Sequence, residues 1–441
     1  MAAPQGIAPS KKGLLVAFAG LVLAVLPALV DGALWPVWVF FWTLLTLLFG
    51  LDVLLAVRAK DLALELTAPP TLYVGGEGHG SLRLAAPTGR TVPAEILLDL
   101  SDNLVPEPAK RTALARAGVQ IPLPLRARRR GLAVVERAWI RYEGPLGLVV
   151  HRVQRELGRR ASVVPNMPLV RSHALPFFSQ RDHTAGLKIE RFAGDGSEFD
   201  ALREFAPGGD RRNIDWKASA RHTKLLAREH RAERSHNVIL AVDTGRLMAE
   251  PLGGIPRLDH AVHAALLLAY VSAKAGDRVS LFAFDDRPRG YLAPRAGMAA
   301  FRALSERTAE LEYGTAETNY TLGLTDLLSK LSRRSLVIVL TDFVDTVTAE
   351  LMVDNIERVA KRHLVVFVAL RDPLFAAVAD ARPESLIDVH RAVVAESLAV
   401  DREIVMKRLL RRGVHCIDAP ADRVGPSLVS RYLEIKRREL V

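Results

Sequence analysis

Residues 335–342 read SLVIVLTD, a nearly continuous apolar run that ends in an aspartate. Similar apolar runs occur at 238–242, 278–284, 364–370 and 414–417, and helical patterns such as 258–274 and 322–332 lie between them. Strands rich in Val, Ile and Leu that alternate with helices are typical of a parallel sheet covered on both faces. The sequence therefore predicts an α/β domain over residues 235–441, with a doubly wound, mostly parallel sheet.

Two aspartates follow strands of this predicted sheet. Asp243 comes directly after the first apolar run, and Asp342 comes directly after 335–341. Thr318 lies in the loop 314–323 that opens a helix, where its hydroxyl supplies another hard oxygen. Ligands bind beyond the carboxyl ends of parallel strands, so the three residues are candidate ligands of one cation. The alternative is structural, with the carboxylates capping helices or pairing with arginine.

The N-terminal region contains two uncharged apolar stretches, 13–30 and 33–51, with only Asp31 and Gly32 between them. Each is long enough to cross a hydrocarbon core of roughly 30 Å. Residues 1–60 are therefore predicted to form an anchor of two membrane helices, at about 13–30 and 33–57. Asp52 is expected to reach headgroup water.

Basic residues flank the outer ends of this hairpin and are absent from its turn. Lys11 and Lys12 precede it, and Arg58 and Lys60 follow it. Because cytoplasmic flanks carry the positive charge, the pattern predicts a multi-pass protein of the inner or cell membrane, with the N-terminus and the main domains in the cytoplasm. The competing interpretation is a cleaved signal peptide. No convincing cleavage site precedes the second stretch.

Residues 61–165 form a different region, where short alternating segments are broken by Pro and Gly. They are predicted to form a small antiparallel β-sandwich-like module, which serves as a binding surface or a spacer. The candidate strands are 62–67, 80–84, 94–100, 119–125 and 132–141.

The net charge is +11, from 60 Lys and Arg against 49 Asp and Glu. No aromatic side chains are interleaved among the arginines as a stacking platform, so nucleic acid is not expected as a partner. Anionic lipid headgroups are a simpler target for the charge of a membrane protein, and the lipid bilayer is an expected partner. The single cysteine, Cys416, excludes an internal disulfide and is expected to be a small buried hydrophobe.

Residues 196–221 read GSEFDALREFAPGGDRRNIDWKASAR. This charged segment falls within 166–234, which is predicted to link the β module to the α/β domain. Its acidic and basic side chains can form bidentate pairs, and Trp216 offers a large apolar anchor. The segment is expected to be an interdomain clasp or a surface for a partner protein, and no catalytic residue is expected in it. The candidate residues are Glu198, Arg203, Glu204, Asp210, Arg212, Asp215, Trp216 and Arg221.

This segment resembles the signature of the domain-of-unknown-function-58 family, which reads approximately Gly-x-Glu-Phe, Leu-Arg-Glu-Tyr, Pro-Gly-Asp-Asp and Arg-x-Ile-Asp-Trp. Phe205 stands where Tyr is common, and Gly209 replaces one Asp. The resemblance implies a membrane hairpin, a β module and a von Willebrand A-like domain that ends in a helix at Tyr432 to Lys436. It also implies an association with MoxR-type AAA ATPases.

The strand-end residues resemble the metal-ion-dependent adhesion site of von Willebrand A domains, which holds magnesium. Asp243, Thr318 and Asp342 match its two aspartates and its loop threonine. Gly245 and Leu247 stand where that site has serines. Magnesium requires near-octahedral oxygen coordination, so the site is degenerate and no cofactor is expected.

The predicted function is a non-enzymatic, membrane-anchored scaffold or adaptor whose α/β domain binds a protein partner, a MoxR-type AAA ATPase by the resemblance. The chain contains no phosphate-binding loop, no His-Glu-x-x-His motif and no Gly-x-Ser-x-Gly elbow. The alternative is a divalent-cation-dependent binding domain, and less readily a hydrolase, that uses the strand-end residues.

Overall fold

The computed structural model describes residues 6–23, 35–85, 92–106, 110–115, 120–179, 193–205, 214–222, 224–231, 236–344, 346–438 and 440. The chain divides into two compact units, Met1–Asn166 and Met167–Val441.

The first unit begins with strand β1 (Gly6–Pro9), followed by helices α1 (Lys11–Leu23) and α2 (Trp35–Leu55). Among the described residues, one helix is long and apolar enough to cross a membrane, and it comprises α2 and the turn after it. The indole nitrogen of Trp38 donates to the carbonyl of Gly20 at 3.0 Å, so α1 and α2 pack together. Residues 24–34, where the tight turn is predicted, lie outside the described part of the chain.

Two sheets form the β-rich part of this unit. The six-stranded sheet has the order β1-β10-β9-β5-β7, with β3 beside β10, and the four-stranded sheet has the order β2-β4-β8-β6. All pairings are antiparallel except that of β3 with β10. The strands are β2 (Ala63–Thr67), β3 (Thr71–Tyr73), β4 (Glu77–Ala85), β5 (Val92–Leu100), β6 (Leu104–Pro106), β7 (Lys110–Ala115), β8 (Gln120–Ala127), β9 (Gly131–Glu143) and β10 (Val149–Val164).

The five strands predicted here are present, but the longest strand of the unit, β10, was missed. It spans 16 residues and pairs with β1, β3 and β9. Its charged residues, among them Arg152, Arg155 and Glu156, obscure the alternation of apolar positions. The Gly and Pro residues at 144–147 lie in the turn that joins β9 to β10.

The second unit alternates helices and strands. Its helices are α3 (Met167–Ser179), α4 (Trp216–His222), α5 (Arg246–Ala249), α6 (Arg257–Lys274), α7 (Gly297–Ala309), α8 (Tyr320–Lys330), α9 (Thr346–Ala360), α10 (Pro373–Asp380), α11 (Leu386–Arg411) and α12 (Ala421–Arg437). Its strands are β11 (Ala193–Glu204), β12 (Leu226–Arg231), β13 (Asn237–Asp243), β14 (Pro251–Leu252), β15 (Ile255–Pro256), β16 (Arg278–Phe284), β17 (Pro288–Ala296), β18 (Leu336–Leu340), β19 (Leu364–Arg371) and β20 (His415–Pro420).

The central sheet of this unit has the order β17-β16-β13-β18-β19-β20. The five predicted strands are all in it and pair in parallel, while β17 adds an antiparallel edge. Successive residues of β13 point to opposite faces. Leu240 packs in a core with α6 and α12, and Ala241 packs in a core with α8, α9 and α11. Both faces are therefore buried, which explains the nearly continuous apolar runs.

The predicted fold class is nevertheless wrong for this chain. The chain is a mixed helix and strand protein with several antiparallel sheets: both sheets of the first unit, the β11–β12 hairpin, and the β16–β17 pair. A doubly wound von Willebrand A fold is not shown. Two membrane helices were expected, and among the described residues one helix is long and apolar enough to cross a membrane. Segment patterns indicate where strands lie and how deeply they are buried, but they do not determine which strands pair.

Candidate functional site: the strand-end network

Asp243 lies at the end of β13 and is buried. Its Oδ1 accepts hydrogen bonds from the backbone N–H of Gly245 at 2.8 Å and from Oγ1 of Thr318 at 2.7 Å. Its Oδ2 accepts from Oγ1 of Thr341 at 2.5 Å, and the hydroxyl of Tyr320 lies 2.9 Å from the same Oγ1. Burial raises the pKa of Asp243 against the effect of these bonds. Neutral donors therefore occupy both carboxylate oxygens.

Gly245 marks the tightest approach in this turn. A Cβ atom at this position would collide with Oγ1 of Thr318 and lie 3.1 Å from Oδ1 of Asp243. The glycine thus allows the threonine to reach the carboxylate. A serine here would require the threonine to move, so the missing serine reflects a different local packing.

Asp342, at the end of β18, pairs with two arginines. Its Oδ2 lies 2.6 Å from Nη1 of Arg257 on α6, and its Oδ1 lies 2.8 Å from Nη1 of Arg402 on α11. The Asp342 side chain is 3% exposed, and the arginine side chains are 10% and 18% exposed. Burial raises the pKa of Asp342, while the two guanidiniums oppose this shift. The structure thus shows the arginine pairing that the sequence left open.

The ion pairs continue from Asp342 to neighbouring strands and helices. Arg257 also contacts Asp372 at 3.4 Å, and Arg402 contacts Asp418 of β20 at 3.0 Å. Burial by itself lowers the pKa of Arg402. The carboxylates of Asp342 and Asp418 raise this pKa by more than burial lowers it, so it lies above its ordinary value. We call Arg257, Asp342, Asp372, Arg402 and Asp418 the strand-end network. It connects three strand ends with α6, α10 and α11.

Neither arginine of this network is predicted from the sequence. Arg257 is the residue just before the helical pattern that was recognised from 258 onward, and Arg402 lies in the middle of a long helix that was not predicted. A basic residue at the start of a helix next to a strand-end aspartate was the available signal for Arg257. No local signal marked Arg402, because 60 residues separate it from Asp342.

The arrangement does not fit a magnesium ion. Asp243 and Thr318 are brought together as predicted, but each oxygen of Asp342 faces a guanidinium, which is itself a cation. Magnesium requires about six oxygen ligands in octahedral geometry. In the described part of the chain, no group of three or more His, Cys, Asp or Glu side chains is placed to hold a metal. The expectation that no cofactor binds stays a prediction, to be tested by titration with magnesium.

The charged segment at 196–221 is described only in part. Asp210 and Arg212 lie outside the described residues, and the strand β11 carries Glu198 and Arg203. Glu204 lies 3.5 Å from Lys224 at the surface, where an ion pair contributes little.

Trp216, which was expected to offer a large apolar anchor, is 69% exposed. It is the first residue of the seven-residue helix α4. Asp215 precedes it and accepts backbone N–H bonds from Lys217 and Ala218, each at 3.0 Å, which caps the helix. Arg221, in the same helix, is also exposed. A tryptophan exposed on such a short helix is a candidate contact for a partner.

Asp52 was expected to reach headgroup water, but it is fully buried at the junction of α2 and the β9–β10 turn. Its carboxylate accepts backbone N–H bonds from Leu146, Leu148 and Val149 at 2.7, 2.8 and 2.9 Å. A Cβ atom on Gly144 would collide with this carboxylate. Asp52 therefore fastens the apolar helix to the β-rich part of its own unit.

Helices α10 and α11 form an apolar hairpin next to the strand-end network. Asp372 caps α10 by accepting the N–H of Leu374 at 2.9 Å, and Ser385 with Asp388 forms a capping box at the start of α11. Beyond the caps, large apolar side chains face solvent. The exposed set is Leu374, Phe375, Val378, Leu386, Ile387, Val389, Val393, Val394 and Val400.

Fold and site together define a chain with an apolar N-terminal helix, a β-rich unit, and an α/β unit whose strand ends hold a buried ion-pair network. Residues 201–415 match the family model described as Protein of unknown function DUF58. This region of the chain therefore belongs to the DUF58 family, as the charged segment indicated.

The chain is similar to two mycobacterial proteins that are described as uncharacterized. Uncharacterized protein Rv1480 of Mycobacterium tuberculosis and Uncharacterized protein Mb1516 of Mycobacterium bovis are each 24% identical over 260 residues, which cover 56% of this chain and 81% of theirs. The conserved hypothetical protein BatB from Bacteroides thetaiotaomicron has a TM-score of 0.31 at 14% identity, covering 46% of this chain and 100% of its own. An uncharacterized membrane spanning protein from Vibrio fischeri has a TM-score of 0.17 at 16% identity, covering 45% of this chain and 98% of its own. These structural scores carry no fold assignment.

Proposed function

We propose that this protein is a non-enzymatic membrane scaffold that binds a protein partner through the α10–α11 hairpin. The anchor would be the apolar N-terminal helices in the inner or cell membrane, with the β-rich part of the first unit and the whole second unit in the cytoplasm. The observation that carries the proposal is the exposed apolar surface of the hairpin. Leu386 is 73% and Ile387 is 62% exposed, and the set runs along both helices. Contiguous apolar surface of this kind marks interaction sites.

The hairpin has the rigidity that a docking element needs. Asp372 at the start of α10 and Arg402 within α11 both join the strand-end network, so each helix is tied to the central sheet. The carboxylates of the network are paired with its arginines, and both carboxylate oxygens of Asp243 accept hydrogen bonds. These groups therefore serve the fold, which supports binding over catalysis.

The partner that we propose is a MoxR-type AAA ATPase, as the resemblance to the family implies. Such a partner would present an apolar groove, because the exposed apolar side chains of the hairpin are mostly valine, leucine and isoleucine. A groove recognises a bound amphipathic helix by its apolar side chains at positions i, i+3, i+4 and i+7. Leu386, Val389, Val393 and Val400 follow this spacing along α11.

The test is crosslinking and co-purification of the full-length protein from its native membrane, with identification of bound proteins. The variant Val393→Lys with Val400→Lys places two charges on the hairpin at exposed anchor positions. Its matched control is Leu322→Lys with Leu351→Lys, two exposed leucines on α8 and α9.

We expect wild type and control to recover an AAA ATPase, and the hairpin variant to recover at least about tenfold less of it. The reason is that truncating or charging an anchor side chain weakens the binding free energy by about 2 kcal/mol or more. Recovery that is equal in all three proteins would refute the hairpin as the docking surface. Repeated recovery of no ATPase would refute the adaptor role.

A further inference from the structure

The outer edge of the central sheet is open at β20. This strand pairs in parallel with β19 from His415 to Pro420, and no described strand pairs with its other side. In a parallel ladder, alternate backbone N–H and C=O groups then point away from the sheet. Such an edge is a template for another strand.

A groove of about 970 Å³ runs along this edge. Residues 416–419 of β20 form one side, and α12 forms the other. The groove-facing residues of α12 recur at spacings of four and three, so they make one continuous stripe along the helix. They are Arg423, Ser427, Ser430, Glu434 and Arg437.

The stripe is basic. Arg431 and Arg438 line the groove as well, at 2.8 and 2.9 Å from Glu434, so that the single glutamate is already paired. Asp418 at the floor is paired with Arg371 and Arg402. Arg437 is exposed and forms no ion pair with any of the described residues. The groove therefore offers positive charge beside unpaired backbone groups.

We propose that this groove binds an extended, acidic segment of a partner protein, which adds a strand to β20 while its carboxylates pair with arginines of α12. The open edge supplies backbone hydrogen bonds, and the arginines select the charge of the added strand. A second copy of this chain is a poor occupant, because its own β20 edge carries the same positive charge. A lipid headgroup would pair with the arginine side chains but would not form hydrogen bonds with the row of backbone N–H and C=O groups along β20.

This inference concerns a surface separate from the α10–α11 hairpin, and its test is independent of the ATPase proposal. The probe is a labelled decapeptide in which glutamate alternates with valine, measured by fluorescence anisotropy against the full chain in neutral nanodiscs. Two matched peptides have lysine in place of glutamate, or N-methyl groups on alternate backbone nitrogens. Unlabelled phosphatidylglycerol vesicles serve as a competing anionic surface.

We expect the acidic peptide to bind and both matched peptides to bind at least about tenfold more weakly, because each removes one of the two required interactions. Arg431→Glu with Arg437→Glu should weaken binding of the acidic peptide by about tenfold. The control, Arg302→Glu with Arg408→Glu, makes the same charge change elsewhere and should leave binding unchanged. Hydrogen exchange in β20 should slow when the peptide is bound.

Three outcomes would overturn the inference. They are no binding of the acidic peptide at millimolar concentration, equal binding of the N-methylated peptide, and complete displacement by the anionic vesicles without protection of β20. The second would indicate electrostatic attraction alone, and the third would make the stripe a lipid-binding surface.

Discussion

Replacing Asp342 by asparagine removes the charge between two buried guanidiniums and keeps the volume of the side chain. The lost contacts are the 2.6 Å pair with Arg257 and the 2.8 Å pair with Arg402. Removing one partner of a buried ion pair costs about 3–5 kcal/mol. Arg402 keeps Asp418 and the carbonyl of Leu370 as acceptors at 3.0 Å each. We therefore expect a loss near the lower bound, about 3 kcal/mol.

The loss should be local, because the network ties α10 and α11 to the sheet. Hydrogen exchange of the full chain in detergent, resolved by mass spectrometry, measures the free energy of opening for each segment. A change of about 3 kcal/mol corresponds to roughly 100-fold faster exchange in α10 and α11. Amides of α2, in the other unit, provide the internal reference.

Asp372→Asn is the matched control. It removes a single, longer contact of 3.4 Å with Arg257, which keeps Asp342 at 2.6 Å, and asparagine still caps α10. We therefore expect a loss of about 1 kcal/mol. Equal effects of the two substitutions, or an effect of Asp342→Asn below about 1 kcal/mol, would refute the view that Asp342 organises the network.

Three further predictions follow from other buried groups. Asp52→Ala leaves three backbone donors without their acceptor, so limited proteolysis should cut the β9–β10 turn at least about tenfold faster than in wild type. Magnesium at millimolar concentration should not raise the unfolding temperature, whereas stoichiometric binding in calorimetry that Asp243→Ala abolishes would revive the cation site. Burial lowers the pKa of His260 below its ordinary value of 6.5. The unfolded chain then binds the proton more readily, so stability should fall as the pH drops through about 6.5, and His260→Gln should flatten that slope in urea titrations.

The buried strands of the α/β unit were predictable because burial on both faces requires a nearly continuous run of apolar residues, which is visible in the local sequence. Each of the five apolar runs became a strand of the central sheet, with ends close to those predicted. The apolar helix α2 was predictable for the same reason, since about 20 consecutive apolar residues have few other uses. The contact of Asp243 with Thr318 agrees with the rule that ligand-binding loops gather at the carboxyl ends of parallel strands.

Other features have no local sequence pattern that predicts them. The strand β10 is rich in charge, and its pairing with β1, β3 and β9 depends on distant partners. Asp52 looked like a residue at the edge of a membrane helix, and only the position of the β9–β10 turn shows that its carboxylate accepts three N–H bonds. Trp216 looked like an anchor because tryptophan is usually well buried, yet the short helix α4 leaves it exposed.

The sequence by itself determined the apolar helix, the buried parallel strands and membership of the DUF58 family, because apolar periodicity and a local signature are properties of neighbouring residues. Only the tertiary structure decided what the strand-end aspartates do. Asp342 is followed in the chain by the loop that begins α9, but its partners Arg257 and Arg402 are 85 and 60 residues away. Whether a carboxylate faces a metal or a guanidinium depends on which side chains the fold brings within about 3 Å, and chain-distant contacts of that kind are not encoded in any local pattern.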